Sequence, residues 1–463
     1  MGCHASSGSP PPRSSCWAAA LGSFWPTGRS PFALFSSTRN SKFAVKDSTL
    51  GPASSTGPQQ TRHGWCGARR PVPADRPPGE MGRRWVEADH QPLTSQERFT
   101  VVSYNILGVK NASKHKYLYP NVPSFYLTWD YRKRVICDEL MGLDSDVICL
   151  QEVDRYFDLL EAMERAGYAG SYKRCTGSKV DGCAIFWKAD RFRLLEDENI
   201  EFKQFGLRDN VAQLSVFEIC IPGSRKLIVC NIHVLFRPSR GDVKLGQIRL
   251  LLLRAQFLSK KWGNVPVIFA GDFNSTPQGA IYEFLSSSKL NIMLHDRREL
   301  SGQRNRDPSQ VLGVKTAKNN PLNLLASFHH RFLKHSWSDE EVKVATGDSG
   351  CHLMVHPFKL NSSYAMVKGS KETRDSSGEP LATSYLPKFL GTVDYLWYAG
   401  DVVPTRVLDT LPFDILLPTR GLPCKELGSD HLALVSEFAF TKDGIASTTM
   451  TSAPSNSVLG PDQ

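Results

Sequence analysis

The stretch "VIFAGDFNSTP", residues 267–277, decides how the chain is read. Val267, Ile268, Phe269 and Ala270 run without a polar break into Gly271, Asp272, Phe273 and Asn274. A short apolar run bounded by turn formers reads as a buried strand. On a strand, side chains two apart share a face. Asp272 and Asn274 therefore point the same way, out of the end of a sheet. Gly, Asp, Asn, Ser and Pro are also turn formers, so this stretch alone does not separate a site from a turn.

The same arrangement recurs elsewhere. Asn105 follows "VVSY", Glu152 follows "VICLQ" and His233 follows "VCNI". Asp394 lies in "TVDYLWY", and Asp430 with His431 opens the final apolar run. One strand ending in a polar residue is unremarkable. A repeated set of Asn, Glu, His and Asp at such ends exceeds what turn chemistry produces, and sheets build sites where strand ends converge. Glu, Asp and Asn are hard oxygen ligands of the kind Mg²⁺ takes together with water and phosphate oxygens. No Cys/His set argues for zinc. Histidine beside an acid is suited to proton transfer near neutral pH. Asp394, flanked by apolar residues, needs a partner when buried, and His431 is the candidate. Together these groups suit hydrolysis of a phosphate ester.

Around the motifs, apolar periodicity predicts a strand over 99–107, a helix over 130–142 capped by Asp130, a strand over 145–153 and a helix over 155–168. Strands follow in "GCAIFWK", "VAQLSVFEI" and "KLIVCNIHVL", then a long helix over 241–262 and a short one in "GAIYEFLSS". "TVDYLWYAG", "DVVPTRVLDT" and "DHLALVSEFAF" supply the last strands. Residues 289–385 read as an irregular, partly mobile insertion made of surface loops. The pattern agrees with an α/β fold of two packed sheets covered by helices.

The chain has 463 residues, a net charge of +10 and 41% hydrophobic residues, enough for a sizeable core. Residues 1–99 carry 12 Lys/Arg and 6 Asp/Glu, a net +6, which leaves only +4 for the rest. A mildly basic folded part permits a polyanionic substrate without requiring one. The 11 cysteines form no CxxC pair. Cys137, Cys149, Cys183, Cys220 and Cys230 read as reduced core thiols, which favours a reducing, intracellular compartment. No apolar run approaches the length of a membrane span. Residues 1–98 are Ser-, Pro- and Gly-rich and read as a disordered or targeting extension. Residues 1–46 hold no acid and resemble an organelle (mitochondrial or plastid) transit peptide. The opening "MGCHAS" also fits N-myristoylation at Gly2, with Cys3 placed for a second acyl chain. The tail 441–463 reads as disordered. The sequence carries no symmetric interface signal, so a monomer is the default.

"GDFNSTP" and "GSDHLAL", in this order, resemble the endonuclease/exonuclease/phosphatase superfamily, whose fold is similar to deoxyribonuclease I. "VSYNIL", "ICLQEVDRYFD", "DGCAIFWK", "GDVKLGQIRLLL" and "VDYLWYAG" resemble one branch, the carbon catabolite repressor 4 deadenylases with nocturnin and the angel proteins. The resemblance spans about residues 99–440. It implies a four-layer α/β/β/α sandwich with two mostly antiparallel sheets. It also implies a Mg²⁺-dependent 3′→5′ exoribonuclease that shortens poly(A) and releases 5′-AMP, with Mn²⁺ as the alternative ion. Glu152 would be the principal metal ligand, and Asn105 and Asp430 would help hold the ion directly or through water. Asp272 would activate the attacking water. Asn274 and His233 would donate to the phosphate, and His431 would be the catalytic histidine paired with Asp394.

The resemblance also places Pro238 and Phe389 as residues that stack on adenine, and Arg237 and Lys188 could face the backbone of single-stranded RNA. The implied partner is the poly(A) 3′ end in the cytoplasm or nucleus. The leucine-rich repeats that tether yeast-type deadenylases to a larger complex are not found before Phe99. Two other readings stand beside this one. The first is a nocturnin-like phosphatase of the NADPH 2′-phosphate, disfavoured by Leu235 where nocturnin has a basic residue. The second is a non-catalytic RNA-binding scaffold on the same fold.

Overall fold

The computed structural model describes residues 82–89, 91, 97–220, 224–313 and 337–441. The readings of residues 1–46 and of the tail beyond Thr441 lie outside them. In chain order the strands are β1 (Trp85–Glu87), β2 (Arg98–Asn105), β3 (Val147–Gln151), β4 (Tyr168–Arg174), β5 (Gly182–Lys188), β6 (Phe192–Glu201), β7 (Val211–Ile219), β8 (Arg225–His233) and β9 (Val267–Asp272). They continue with β10 (Lys289–Asn291), β11 (Leu353–Val355), β12 (Asn361–Ser362), β13 (Ser384–Leu386), β14 (Phe389–Gly391), β15 (Asp394–Ala399), β16 (Val402–Leu408) and β17 (Leu434–Phe440). The helices used below are α1 (Val109–Lys114), α2 (Trp129–Leu143), α3 (Tyr156–Arg165), α4 (Gly241–Lys261) and α5 (Ala280–Ser287).

Two large sheets carry the fold. One has the order β1-β16-β17-β2-β3-β5-β4, the other β12-β15-β9-β8-β7-β6. Pairing is antiparallel except for β2 with β3 and β8 with β9. Alternation along each strand sends one set of side chains between the sheets and the other set outward. Val101, Val147, Cys149 and Ile185 of the first sheet meet Phe217, Val229, Ile268 and Leu396 of the second in the inner core. The outward set of the first sheet, including Val102, Tyr104 and Ile148, packs on Ile136 and Leu140 of α2 and Leu159 and Met163 of α3. The outward set of the second sheet packs on Ile248, Leu251 and Leu252 of α4 and Ile281 and Phe284 of α5. Both faces of both sheets are thus buried, which gives the expected four-layer α/β/β/α sandwich. No helix among the described residues is long and apolar enough to cross a membrane.

Several expectations change. Trp85–Glu87, assigned to the extension, form edge strand β1 on β16, with the Arg406 guanidinium over the Trp85 ring. Thr128 rather than Asp130 stands at the N-cap of α2. Cys220 is exposed rather than a core thiol. Residues 289–385 are more than surface loops. They supply β12 to the second sheet, bury Leu290, Val342, Met354 and Leu360 in its outer core, and bring Gln303 and Thr383 to the site described next. Their lack of sequence period comes from short elements, because no strand among the described residues of this segment exceeds three residues.

Candidate active site

Strand direction gathers the polar ends. β2 and β3 run parallel and finish at Asn105 and Gln151, so Asn105 and Glu152 emerge together. β8 and β9 run parallel and set His233 beside Asp272, while antiparallel β15 sets Asp394 on the other side of Asp272. Three neighbouring strands of the second sheet therefore carry Asp394, Asp272 and His233 in a row. A Cβ at Gly271 would lie 2.0 Å from the Ile232 carbonyl oxygen, so this approach of β8 to β9 requires glycine. Glu152 and Asn274 take left-handed φ angles of 58° and 48°. Such angles are costly for residues with a Cβ and cluster at functional sites.

Asp272 stands at the centre. Its Oδ2 accepts from Asn105 Nδ2 at 3.1 Å and lies 3.5 Å from His233 Nε2 and 4.0 Å from His431 Nε2. Its Oδ1 accepts from the Asn274 backbone N–H at 2.9 Å. His431 Nδ1 lies 2.8 Å from Asp394 Oδ2, which also accepts from the Thr383 hydroxyl at 2.5 Å. The Thr383 oxygen in turn accepts from the backbone N–H groups of Val393 and Asp394, which orients its proton toward the carboxylate. The hairpin of β13 and β14 holds the histidine by backbone bonds from Tyr385 to Asp430 and from Leu432 to Thr383.

Glu152 receives N–H donors on both oxygens. Gly108 N and Asn111 Nδ2 donate to Oε2 at 3.0 and 2.7 Å, and Asn105 Nδ2 donates to Oε1 at 3.3 Å. Burial pushes this carboxyl up, but the charge of His233 and the bonds from Asn111 and Gly108 outweigh it and hold the group below its ordinary value. Asp430 accepts from the Tyr119 hydroxyl at 2.9 Å. Burial raises the Asp430 carboxyl, with the Glu152 charge adding to the effect against the pull of His431. Burial also raises Asp272, the Asp394 charge adds to that, and His233 and His431 oppose it. For His431 burial acts downward, yet the charge and hydrogen bond of Asp394, then Asp430 and Asp272, hold it well above the ordinary imidazole range. The short Nδ1–Oδ2 bond to Asp394 thus favours the protonated form of His431.

This donor set fits a hard divalent cation. The Glu152 and Asp272 carboxylates accept from the same Asn105 amide, and Asp272 and Asp430 are each raised by burial and a neighbouring negative charge. The buried Asp394 Oδ1 has no hydrogen-bond partner among the described residues. Ligand atoms of Asp272, Asp394 and His431 also lie within 4.8 Å of one another. The short Asp394–His431 bond uses one atom of each, so we read that trio as a proton-handling pair beside an acid rather than as a cation cage. Asn105, expected to help hold the ion directly or through water, has its amide fixed by the backbone. Its oxygen accepts from Leu107 N at 3.1 Å, so its NH₂ group faces Glu152 and Asp272. In this arrangement Asn105 orients the two carboxylates and presents no oxygen to an ion.

Of the expected substrate contacts, Arg237 is exposed and Pro238 half-buried in the loop that follows His233. Phe389 opens β14, half-buried, on the hairpin that braces His431. Lys188 is corrected. β5 runs antiparallel to β3, so Gly182 lies at the site end and Lys188 at the opposite end of the sheet. There Lys188 Nζ donates to the Asp144 carbonyl at 2.8 Å and pairs with the Asp144 and Asp146 carboxylates at 3.0 and 3.7 Å. Asn111, Tyr119, Thr383, Gln303 and Lys244 join the site without having been singled out in the sequence. Only the Asn in "GVKNAS", four residues past the strand-end "NIL", carried a readable hint, as an amide near a site-forming turn.

Comparison with known proteins agrees with this geometry. The profile of the Endonuclease/Exonuclease/phosphatase family matches residues 102–431. Carbon catabolite repressor protein 4 homolog 3 of Arabidopsis thaliana is 56% identical over 416 residues, covering 88% of this chain and 91% of that protein. The CCR4-Not complex 3′-5′-exoribonuclease subunit Ccr4 of Mycosarcoma maydis is 28% identical over 443 residues, covering 82% of this chain and 57% of that protein. Among solved structures, ANGEL2, a 2′,3′-cyclic phosphatase, in complex with adenosine-2′,3′-vanadate, aligns with a TM-score of 0.62 at 29% identity, covering 79% of this chain and all of that one. The chain belongs to the endonuclease/exonuclease/phosphatase family.

Proposed function

We propose that this protein is a divalent-metal-dependent phosphodiesterase that removes nucleotides from the 3′ end of A-tailed RNA and releases 5′-AMP. The observation that carries the reading is the position of Asp272, within 4.0 Å of both His233 Nε2 and His431 Nε2 and bonded to Asn105. Glu152 and Asp430 would hold Mg²⁺ or Mn²⁺, which would supply charge neutralisation at the phosphoryl oxygens. Asp272 takes the proton of the attacking water. Its raised carboxyl brings it closer to the operating pH, as a general base requires. His233 and Asn274 donate to the phosphoryl oxygens, and the His431 imidazolium, fixed by Asp394, stabilises charge developing there. Pro238 and Phe389 are the proposed adenine contacts, with stacking worth about 1–3 kcal/mol per base. The name of the fungal exoribonuclease subunit supports the RNA reading.

A second reading, hydrolysis of a 2′,3′-cyclic phosphate at an RNA end, has support from the similarity to ANGEL2. One assay separates the readings. Purified protein receives 5′-labelled A-tailed RNA, RNA with a mixed-sequence tail, RNA ending in a 2′,3′-cyclic phosphate, and NADPH, each with Mg²⁺, Mn²⁺ or EDTA. Stepwise shortening of the A-tailed RNA with 5′-AMP release, lost in EDTA, is the expected result. Removal of the cyclic phosphate alone moves the assignment to the second reading, and turnover of NADPH alone rejects both.

A further inference from the structure

Lys244, in the first turns of α4, is wholly buried. It forms no ion pair with a carboxylate among the described residues. Its Nζ donates to the Asn274 backbone carbonyl at 2.6 Å and to Gln303 Oε1 at 2.5 Å. Gln303 Nε2 donates onward to Asn274 Oδ1 at 2.9 Å. Asn274 Nδ2 gives one hydrogen to the Val234 carbonyl at 3.0 Å, which leaves its second N–H for another acceptor. Burial lowers the Lys244 amine to about 7. Asp272 lies near enough to favour the ammonium but makes no ion pair with it; a buried cation so placed is costly, and an apolar side chain of similar length fills the same space more favourably. Stability therefore gives no reason for lysine here.

The hydrogen bonds do give one. The two ends of a side-chain amide have nearly the same shape, and only their partners decide which end is which. Lysine has donors and, when charged, no acceptor. It therefore draws the Gln303 oxygen toward itself and turns the Gln303 NH₂ toward Asn274. That NH₂ group can meet only an oxygen, so Asn274 Oδ1 faces inward and Asn274 Nδ2 faces the Val234 side. We propose that Lys244 is a positioning residue that fixes, through Gln303, the direction of the Asn274 amide, so that one N–H is kept for a phosphoryl oxygen of the substrate. This rests on the phosphoester reading of the site. It adds a buried chain of three residues that sets the polarity of one of the site's donors.

The test uses K244M, Q303E, N274A and the pairs K244M/N274A and Q303E/N274A. Each is titrated calorimetrically with inorganic phosphate in Mg²⁺ buffer, melted, and assayed for kcat/KM on A-tailed RNA. Q303E gives Lys244 a carboxylate partner, so the fold melts at or above the wild-type temperature. Its second oxygen is an acceptor, however, and pulls the Asn274 NH₂ inward. Phosphate affinity and kcat/KM should each fall about tenfold or more in Q303E and K244M, the effect of losing one hydrogen bond to a charged group. Each double variant should match N274A alone, because both changes act through the same amide. Wild-type phosphate affinity in Q303E overturns the proposal. So does a double variant whose loss is the product of the two single losses. Where K244M does not fold, the Q303E cycle decides. If RNA is not cleaved and phosphate binding still shows the non-additive pattern, the RNA reading fails and the role of Lys244 stands.

Discussion

Replacing Glu152 by Gln removes one negative charge and changes almost no shape, which makes it the sharpest probe of the cation assignment. A glutamine that keeps its oxygen at the Oε2 position retains the bonds from Gly108 N and Asn111 Nδ2, at 3.0 and 2.7 Å. Its NH₂ group then meets Asn105 Nδ2, and the 3.3 Å bond made there is lost, at a cost of about 1 kcal/mol. Removing the charge has the opposite effect on Asp430, whose carboxyl Glu152 pushes up. Relief of Asp430 partly offsets the lost bond and the lost attraction to His233, so the cation-free fold should be destabilised by about 1 kcal/mol. The wild type, held at a hundredfold excess of Mg²⁺ over its Kd, gains about 2.7 kcal/mol from binding. The variant should gain nothing. Thermal melts with Mg²⁺ and with EDTA read the difference, and kcat on A-tailed RNA should fall by about 100-fold or more. A variant whose melting temperature still rises with Mg²⁺ as the wild type's does, or which keeps wild-type turnover, refutes the placement of the ion on Glu152.

Asp394→Asn should let His431 lose its proton at lower pH than in the wild type, followed by NMR of the imidazole, and should lower kcat about 10²–10⁴-fold; an unshifted imidazole titration would contradict the pairing. Burial lifts the Glu379 carboxyl to about 7 from an ordinary 4.5, against bonds from Ser362 and Tyr282. Between those values the native state binds more protons than the unfolded chain, so stability should fall as pH rises through the window, by about 3 kcal/mol in all. Glu379→Gln should flatten that slope in urea denaturation at pH 5 and pH 8, and an unchanged slope would exclude Glu379 as its origin. Lys188→Ala, at the far end of β5, should leave kcat/KM on RNA unchanged and cost no more than about 1 kcal/mol; a raised KM for RNA would return Lys188 to the substrate path.

The line of polar residues was legible because Asn105, Glu152, His233 and Asp272 end apolar runs while Asp394, Asp430 and His431 open them, and strand direction carries those ends to one side. Strand β9 was readable as an almost continuous apolar run, and β7 as an apolar stretch broken only by Gln213, Ser215 and Glu218. β4, "YAGSYKR", and β6, "FRLLEDENIE", were not. They are the outer strands of their sheets, and most of their residues are only half-buried or exposed, so propensity and pattern carry little signal. Lys188 misled because the direction in which β5 runs beside β3 is a property of the sheet and leaves no mark on "GCAIFWK". Thr383, Gln303 and Tyr119 lie in segments without a period. Their importance comes from which carboxylate or amide they meet across ten or more intervening residues, a relation that one sequence does not contain.

Each sheet contributes half of the site through its own parallel pair: Asn105 and Glu152 from one, His233 and Asp272 from the other. The apolar layer between them works as the spacer of a caliper and sets the gap between the jaws. A shaved spacer, at Val229 or Ile268, would let the jaws drift by a fraction of an ångström while every jaw residue stays chemically intact. Heat-sensitive alleles of this protein should therefore gather in that interlayer, far from any ligand, and go silent at temperatures where the chain is still folded.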